Sequence, residues 1–170
     1  MRKLISAEVC ERHKVIPVSR SGNSIIVAMA DPSNLHAIDD IKFPNGLCFS
    51  PDERRLYIVE TGLQFDTDPL QHVRVFDVAE DGSLSGGSVL FKIAPGNADG
   101  IRCDEHGNVW SSAGDGVHCI DPGGELVGKI LVPATVANLT FGGRNNSRLF
   151  LCASQALYAI YVNVRGAPLL

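Results

Sequence analysis

No run of apolar residues in this chain approaches the roughly 18 needed to span a bilayer as a helix, so membrane insertion is not expected. No basic stripe is present: 19 Asp and Glu outweigh 15 Lys and Arg, the net charge is −4, and a nucleic-acid surface is not expected. The phosphate-loop pattern G-x-x-x-x-G-K-[ST] does not occur. The five cysteines (Cys10, Cys48, Cys103, Cys119 and Cys152) form no C-x-x-C pair, and their odd number argues for reduced thiols and a cytoplasmic protein. His13, His36, His72, His106 and His118 lack the H-x-x-x-H spacing of a metal pair. Ser111-Ser112 has no adjacent base pattern, so nucleophilic catalysis has little support. The start, MRKLISAEVCERHK, meets Glu8, Glu11 and Arg12 before an apolar core develops and is not a secretory signal.

What is present suits a globular protein of many short strands. Of 170 residues, 45% are hydrophobic and 20% charged, and 17 Gly and 9 Pro cluster between apolar runs. One stretch, NADGIRCDEHGNVW (Asn97–Trp110), supplies the plan for the rest. A polar turn ends in Asp99-Gly100; a short strand, a second turn and a new apolar strand follow. FPNGLCFSPDERRLYIVETG (Phe43–Gly62) and VANLTFGGRNNSRLFLCAS (Val136–Ser154) repeat it, with Asn45, Asp99 and Asn138 in equivalent places. Self-similarity at roughly 40 to 55 residues is the signature of propeller blades.

Three blades can be drawn on that repeat. The first has strands at Leu47–Phe49, Leu56–Glu60, His72–Val78 and Val89–Ile93. The second has Ile101–Cys103, Val109–Ser111, Gly116–Ile120 and Leu126–Val132. The third has Leu139–Phe141, Leu149–Cys152 and Leu157–Val162, with no fourth strand before Leu170. Runs such as LYIVE and LFLCA are apolar at successive positions, as expected where neighbours cover both faces of a blade. Glu60 and Arg74 are expected to be solvated or rim positions rather than chemistry, and Trp110 blade core. The fold class is therefore mainly β, an incomplete propeller of about three blades preceded by a small α/β segment.

That segment, residues 1–42, reads as helix (Leu4–His13), two strands (Lys14–Ser19 and Ser24–Ala30) and helix (Asn34–Phe43). Its words KVIPVSRSGNSIIVAMADPSNLHAIDDIKF resemble the end of the N-terminal domain of type II secretion and type IV pilus assembly ATPases. In that family the domain docks on a membrane partner, and some members bind a cyclic dinucleotide through a motif outside this stretch. No site residue carries over, and residues 1–42 are expected not to bind nucleotide.

From Phe43 onward the chain resembles the C-terminal half of the gluconolactonase / regucalcin (senescence marker protein) family of six-bladed propellers. The words that carry the resemblance are PNGLCFSPDERRLYIVETG, ADGIRCDEHGNVW, GDGVHCIDPGGELVGKI and ANLTFGGRNNSRLFLCASQALYAIYV. The resemblance implies a divalent cation, most often calcium, at the top of the central channel, held by an N-G asparagine, a D-G aspartate and a first-blade glutamate. Asn45 matches the first and Asp99 the second; no E-G-P word exists to supply the third. It further implies hydrolysis of a sugar lactone, with the cation polarising the carbonyl and Asp99 as the base that activates water. Oxygen donors beside glycine suit a hard cation, although calcium takes about 6 to 8 oxygens and two side chains leave most to water. N-G and D-G pairs are also ordinary hairpin turns. Their equivalence within a repeat favours ligands, whereas Asn138 reads as a turn residue. Leu63–Gln71, with Asp66 and Asp68, is the longest insertion at the mouth.

Three readings follow. One is a calcium-dependent sugar lactonase, impaired because the N-terminal blades are missing. The others are a non-enzymatic docking module and a chimeric fragment without activity of its own. Three blades of six would leave two apolar faces uncovered, so self-association is expected, and a two-fold dimer would restore six blades.

Overall fold

The computed structural model describes residues 15–21, 24–29, 44–62 and 71–168. Two compact units are present, Met1–Ile38 and Asp39–Leu170. In the first, β1 (Val15–Ser21) and β2 (Ser24–Met29) form an antiparallel hairpin, matching the two strands expected there. The two helices expected around them, Leu4–His13 and Asn34–Phe43, lie outside the described residues, as does most of the insertion Leu63–Gln71.

The second unit is built from three antiparallel sheets, each a meander in chain order. Blade 1 comprises β3 (Pro44–Phe49), β4 (Arg55–Thr61), β5 (Gln71–Val78) and β6 (Leu84–Lys92). Blade 2 comprises β7 (Ile101–Cys103), β8 (Val109–Ala113), β9 (Gly116–Ile120) and β10 (Leu126–Leu131). Blade 3 has β11 (Val136–Gly142), β12 (Arg148–Ala153) and β13 (Ala156–Tyr161). These are the three blades of an incomplete propeller, in a fold that is mainly β.

The period-2 geometry of a strand sends alternate side chains to opposite faces, and here both faces of the middle blade are covered. Val109 and Ala113 of β8 and Ile120 of β9 pack with Tyr57, Val59 and Val73 of blade 1. Their alternates Trp110, Val117 and Cys119 pack with Val136, Leu139, Leu149 and Leu151 of blade 3. Every residue of β8 and β9 is consequently buried. Trp110 meets Phe141 edge to face at 5.8 Å, so it is a core residue of the blade 2–blade 3 seam.

Two features depart from expectation. Glu60 is not at a solvated rim: it is 0% exposed, and Arg74 Nε lies 2.7 Å from its Oε2. Glu60 pairs across the strands with His72, and Ile58 with Arg74, so the guanidinium reaches the carboxylate diagonally within one sheet face. The C-terminal stretch is also more than a strand end. After β13 it returns to the inner strands: Ala167 N donates to Cys103 O at 2.9 Å, Glu105 N to Arg165 O at 2.8 Å, and Gly166 N to Asn146 O at 2.8 Å. Blade 3 thus has three strands among the described residues, while the tail closes the far end of the inner strands.

Candidate functional site

The innermost strands β3, β7 and β11 each carry a polar residue at or near their start: Asn45, Asp99 and Asn138. Consecutive blades meet there by the same step. A methyl group placed on Gly46 would collide with the Asp99 carbonyl oxygen, and one on Gly100 with the Asn138 amide oxygen. Glycine after the polar residue is therefore a packing requirement: it lets the next blade's polar residue come against the backbone. The structure brings Asn45, Asp99 and Asn138 into one row across three blades.

Hydrogen bonds fix this row from behind. Asn45 Nδ2 donates to Thr61 Oγ1 at 3.4 Å, and Thr61 Oγ1 donates to the Ala98 carbonyl at 2.7 Å. The backbone N–H of Asp99 donates to Ser112 Oγ at 2.9 Å, and Ser112 N to the Gly100 carbonyl at 3.0 Å. Gly100 N in turn donates to Ala137 O of blade 3 at 2.9 Å. Thr61 and Ser112 carry no motif of their own. Ser112 reads as an idle hydroxyl until the β7–β8 pairing puts it under Asp99. Asn138 sits at a bulge in β11 rather than in a turn, and its Oδ1 accepts from Leu139 N at 2.8 Å.

The donor set fits a hard divalent cation in kind. Asn45 and Asp99 offer an amide oxygen and a carboxylate, with Asn45 exposed and Asp99 half-buried. It does not fit in number, since two side chains cannot complete a calcium shell. Among the described residues no group of three or more His, Cys, Asp and Glu could hold a metal ion. Any cation site here rests on the amide–carboxylate pair. A cavity of about 490 Å³ lies elsewhere: Leu47–Pro51, Arg102, Cys103, Phe141 and the tail line it. It occupies the opposite ends of the inner strands from Asn45 and Asp99.

A second polar cluster lies in blade 2, with His118 buried and Asp115 and Lys129 partly exposed. His118 Nε2 lies 2.7 Å from Asp115 Oδ1, and Lys129 Nζ lies 2.9 Å from Asp115 Oδ2. Burial pushes the Asp115 carboxyl up, but hydrogen bonds from Lys129 and His118, with their charges, outweigh it and hold the group below its ordinary 3.8. A carboxyl depressed in the folded state contributes stability above its unfolded pKa and loses it as pH falls through the folded value. Asp115→Asn should therefore flatten the acid limb of stability below about pH 4, by less than about 1 kcal/mol because the group is partly solvated. Urea midpoints measured from neutral pH downward check this, and an acid limb as steep as the wild type's would refute it.

Comparison with known proteins gives two kinds of likeness. The family model described as SMP-30/Gluconolactonase/LRE-like region matches residues 11–155. The chain is 30% identical over 149 residues to lactonohydrolase oryH of Aspergillus oryzae, covering 77% of this chain and 32% of that protein. It is similar in structure to a gluconolactonase from Xanthomonas campestris, with a TM-score of 0.62 and 32% identity, over 75% of this chain and 39% of that one. A short segment, 26% of this chain and 8% of the relative, is 59% identical over 44 residues to the type IV pilus assembly ATPase PilB of Myxococcus xanthus. Both resemblances read from the sequence are thus present. The chain spans 32% of the Aspergillus lactonohydrolase and 39% of the Xanthomonas gluconolactonase.

Proposed function

The chain belongs to the SMP-30/gluconolactonase family, and on that premise we propose that it carries part of a sugar-lactone hydrolase site, with Asn45 and Asp99 as oxygen ligands of a divalent cation, calcium by preference. The observation that carries this reading is the repeated step of Gly46 against Asp99 and Gly100 against Asn138, which lines up the polar residues of successive blades. Bound there, the cation would polarise the lactone carbonyl. The chain's own residues orient the donors. Thr61 ties the Asn45 amide nitrogen, leaving its oxygen to turn toward a ligand, while Ser112 holds the Asp99 backbone. In hydrolysis, water adds to the carbonyl carbon, the ring C–O bond breaks and the ring oxygen takes up a proton. Asp99 accepts the proton from the attacking water. Direct coordination lowers a carboxylate's basicity, so the two roles of Asp99 oppose each other and turnover by this chain is slow.

Calorimetric titration with calcium tests the ligand assignment. The wild type should bind weakly, in the range of about 0.1–1 mM expected of a site with few charged ligands. Asp99→Ala should lose at least about tenfold in affinity, and equal affinity in both proteins refutes the assignment. The short PilB-like segment favours a second reading, in which residues 1–42 dock on a partner and the blades are a non-catalytic platform. Wild-type calcium binding without hydrolysis of any sugar lactone would favour that reading.

A further inference from the structure

Cys48, in β3, and Cys103, the last residue of β7, bring their sulfurs to 3.6 Å across the seam between blades 1 and 2. They are 55 residues apart and belong to different sheets, so the blade packing alone creates this pair. A disulfide requires the sulfurs to close from 3.6 Å to about 2.05 Å. Both residues line the cavity of about 490 Å³, so a small reagent entering it meets both sulfurs. Cys48 is half-buried and Cys103 is 4% exposed, which makes Cys48 the first of the pair to be reached.

We propose that Cys48 and Cys103 form a paired oxidation site, which a small-molecule disulfide converts into a covalent link between the inner strands of blades 1 and 2. The Cys48 thiolate attacks one sulfur of the reagent, expelling one thiol and forming a mixed disulfide. Cys103 then attacks the Cys48 sulfur and expels the second thiol. Two protein thiols are oxidised, one reagent disulfide is reduced to two thiols, and the protein loses two hydrogen atoms. The hydrogen bond with Cys103 and burial hold the Cys48 thiol protonated, so the reaction is slow at neutral pH. The remaining thiols are placed differently. Cys119 faces the other seam of blade 2, its thiol pushed up to about 12 by burial and then by the Asp104 and Asp121 charges. Cys152 is exposed on blade 3. The link would lie three residues beyond Asn45 and four beyond Asp99, fixing the separation of the strands that carry them. Its formation does not depend on the lactonase reading.

The test is incubation of the folded full chain with hydroxyethyl disulfide, followed by alkylation in denaturant, intact mass and peptide mapping. The expected result is the mass of the reduced chain less about 2 Da with three alkyl groups instead of five, and a Cys48–Cys103-linked peptide as the dominant cross-link. Tm should rise by on the order of 5–10 °C, because the closed loop is long. Cys103→Ser should stop at the mixed disulfide on Cys48. If that variant fails to fold, Cys152→Ser, which touches neither sulfur, should still give the linked peptide. Cross-links scattered over the five cysteines, a wild-type Cys48 adduct that never resolves onto Cys103, or no reaction would each overturn the proposal.

Discussion

Replacing Asp104 with alanine should lower the stability of the Asp39–Leu170 unit by about 4 kcal/mol. Asp104 is 0% exposed, and its two oxygens accept four hydrogen bonds. Oδ1 takes the backbone N–H of His106 at 2.9 Å and of Asn108 at 3.0 Å, closing the β7–β8 turn. Oδ2 takes Asn108 Nδ2 at 2.8 Å and the indole N–H of Trp110 at 2.9 Å, tying that turn to the core. Hydrogen bonds to a charged acceptor contribute about 1.5–3 kcal/mol each, but water can replace the carboxylate at the exposed side of the turn. The sum is therefore well short of four full bonds. The buried indole N–H has no such recourse. Asp104→Asn, which keeps the shape and one oxygen, turns an NH₂ toward two donors and should cost about 2 kcal/mol. Urea unfolding followed by the fluorescence of Trp110, the only tryptophan, reads both variants directly. Stabilities within about 0.5 kcal/mol of wild type would mean that this network does not hold the hairpin.

The same residue shows what the sequence could convey. The strands around Asp104 were legible because apolar runs alternate with turn residues: Ile101–Cys103 and Gly116–Ile120 are found at their expected bounds, and Val109–Ser111 extends only to Ala113. The equivalence of Asn45 and Asp99 was legible too, because it is a property of the repeat. What escaped was every group whose role depends on register between strands. Glu60 looks like a surface residue in any one-dimensional reading. Its burial makes sense only once pairing places Arg74 diagonally across from it. Ser112 and Thr61 act on residues 13 and 37 positions away, beyond any local motif. The tail after Tyr161 has no period at all, yet Arg165 N reaches the Glu105 carboxylate across 60 residues. Such long-range polar contacts are specified by blade packing, and a repeat reveals the packing without its contacts.

Purified protein should self-associate, and the contact should be the outer face of blade 3. Three blades of a six-bladed ring leave two faces open, and of these the blade 3 face carries the more exposed apolar side chains. On the outer side of blade 1, Leu56, Ile58 and Phe76 are 8%, 7% and 0% exposed, and Leu47, Phe49 and Val89 on the same face are 56%, 44% and 48% exposed. On blade 3 the exposure is greater. Cross-strand pairing places Cys152 beside Leu157, Phe150 beside Ala159 and Arg148 beside Tyr161 on one face. Leu157 and Tyr161 are 68% and 74% exposed. Arg148 covers part of it, lying 5.0 Å from the Phe150 ring centroid and 5.4 Å from that of Tyr161. Among the described strands β13 also has no partner on its outer side. An apolar face bordered by an unpaired strand edge is a ready template for a second copy. A two-fold arrangement would bury both faces at once. Light scattering over a concentration series should show the mass rising from 18.2 kDa toward twice that value. Replacing both Leu157 and Tyr161 with lysine puts like charges on the two facing surfaces and should weaken association by at least about tenfold. Tyr161→Lys gives up the Arg148 contact and should lower the urea midpoint slightly, whereas Leu157→Lys alone, at an exposed site with no such contact, should keep it. A wild type that stays monomeric, or a double variant that associates as strongly, would show that this face is not the contact.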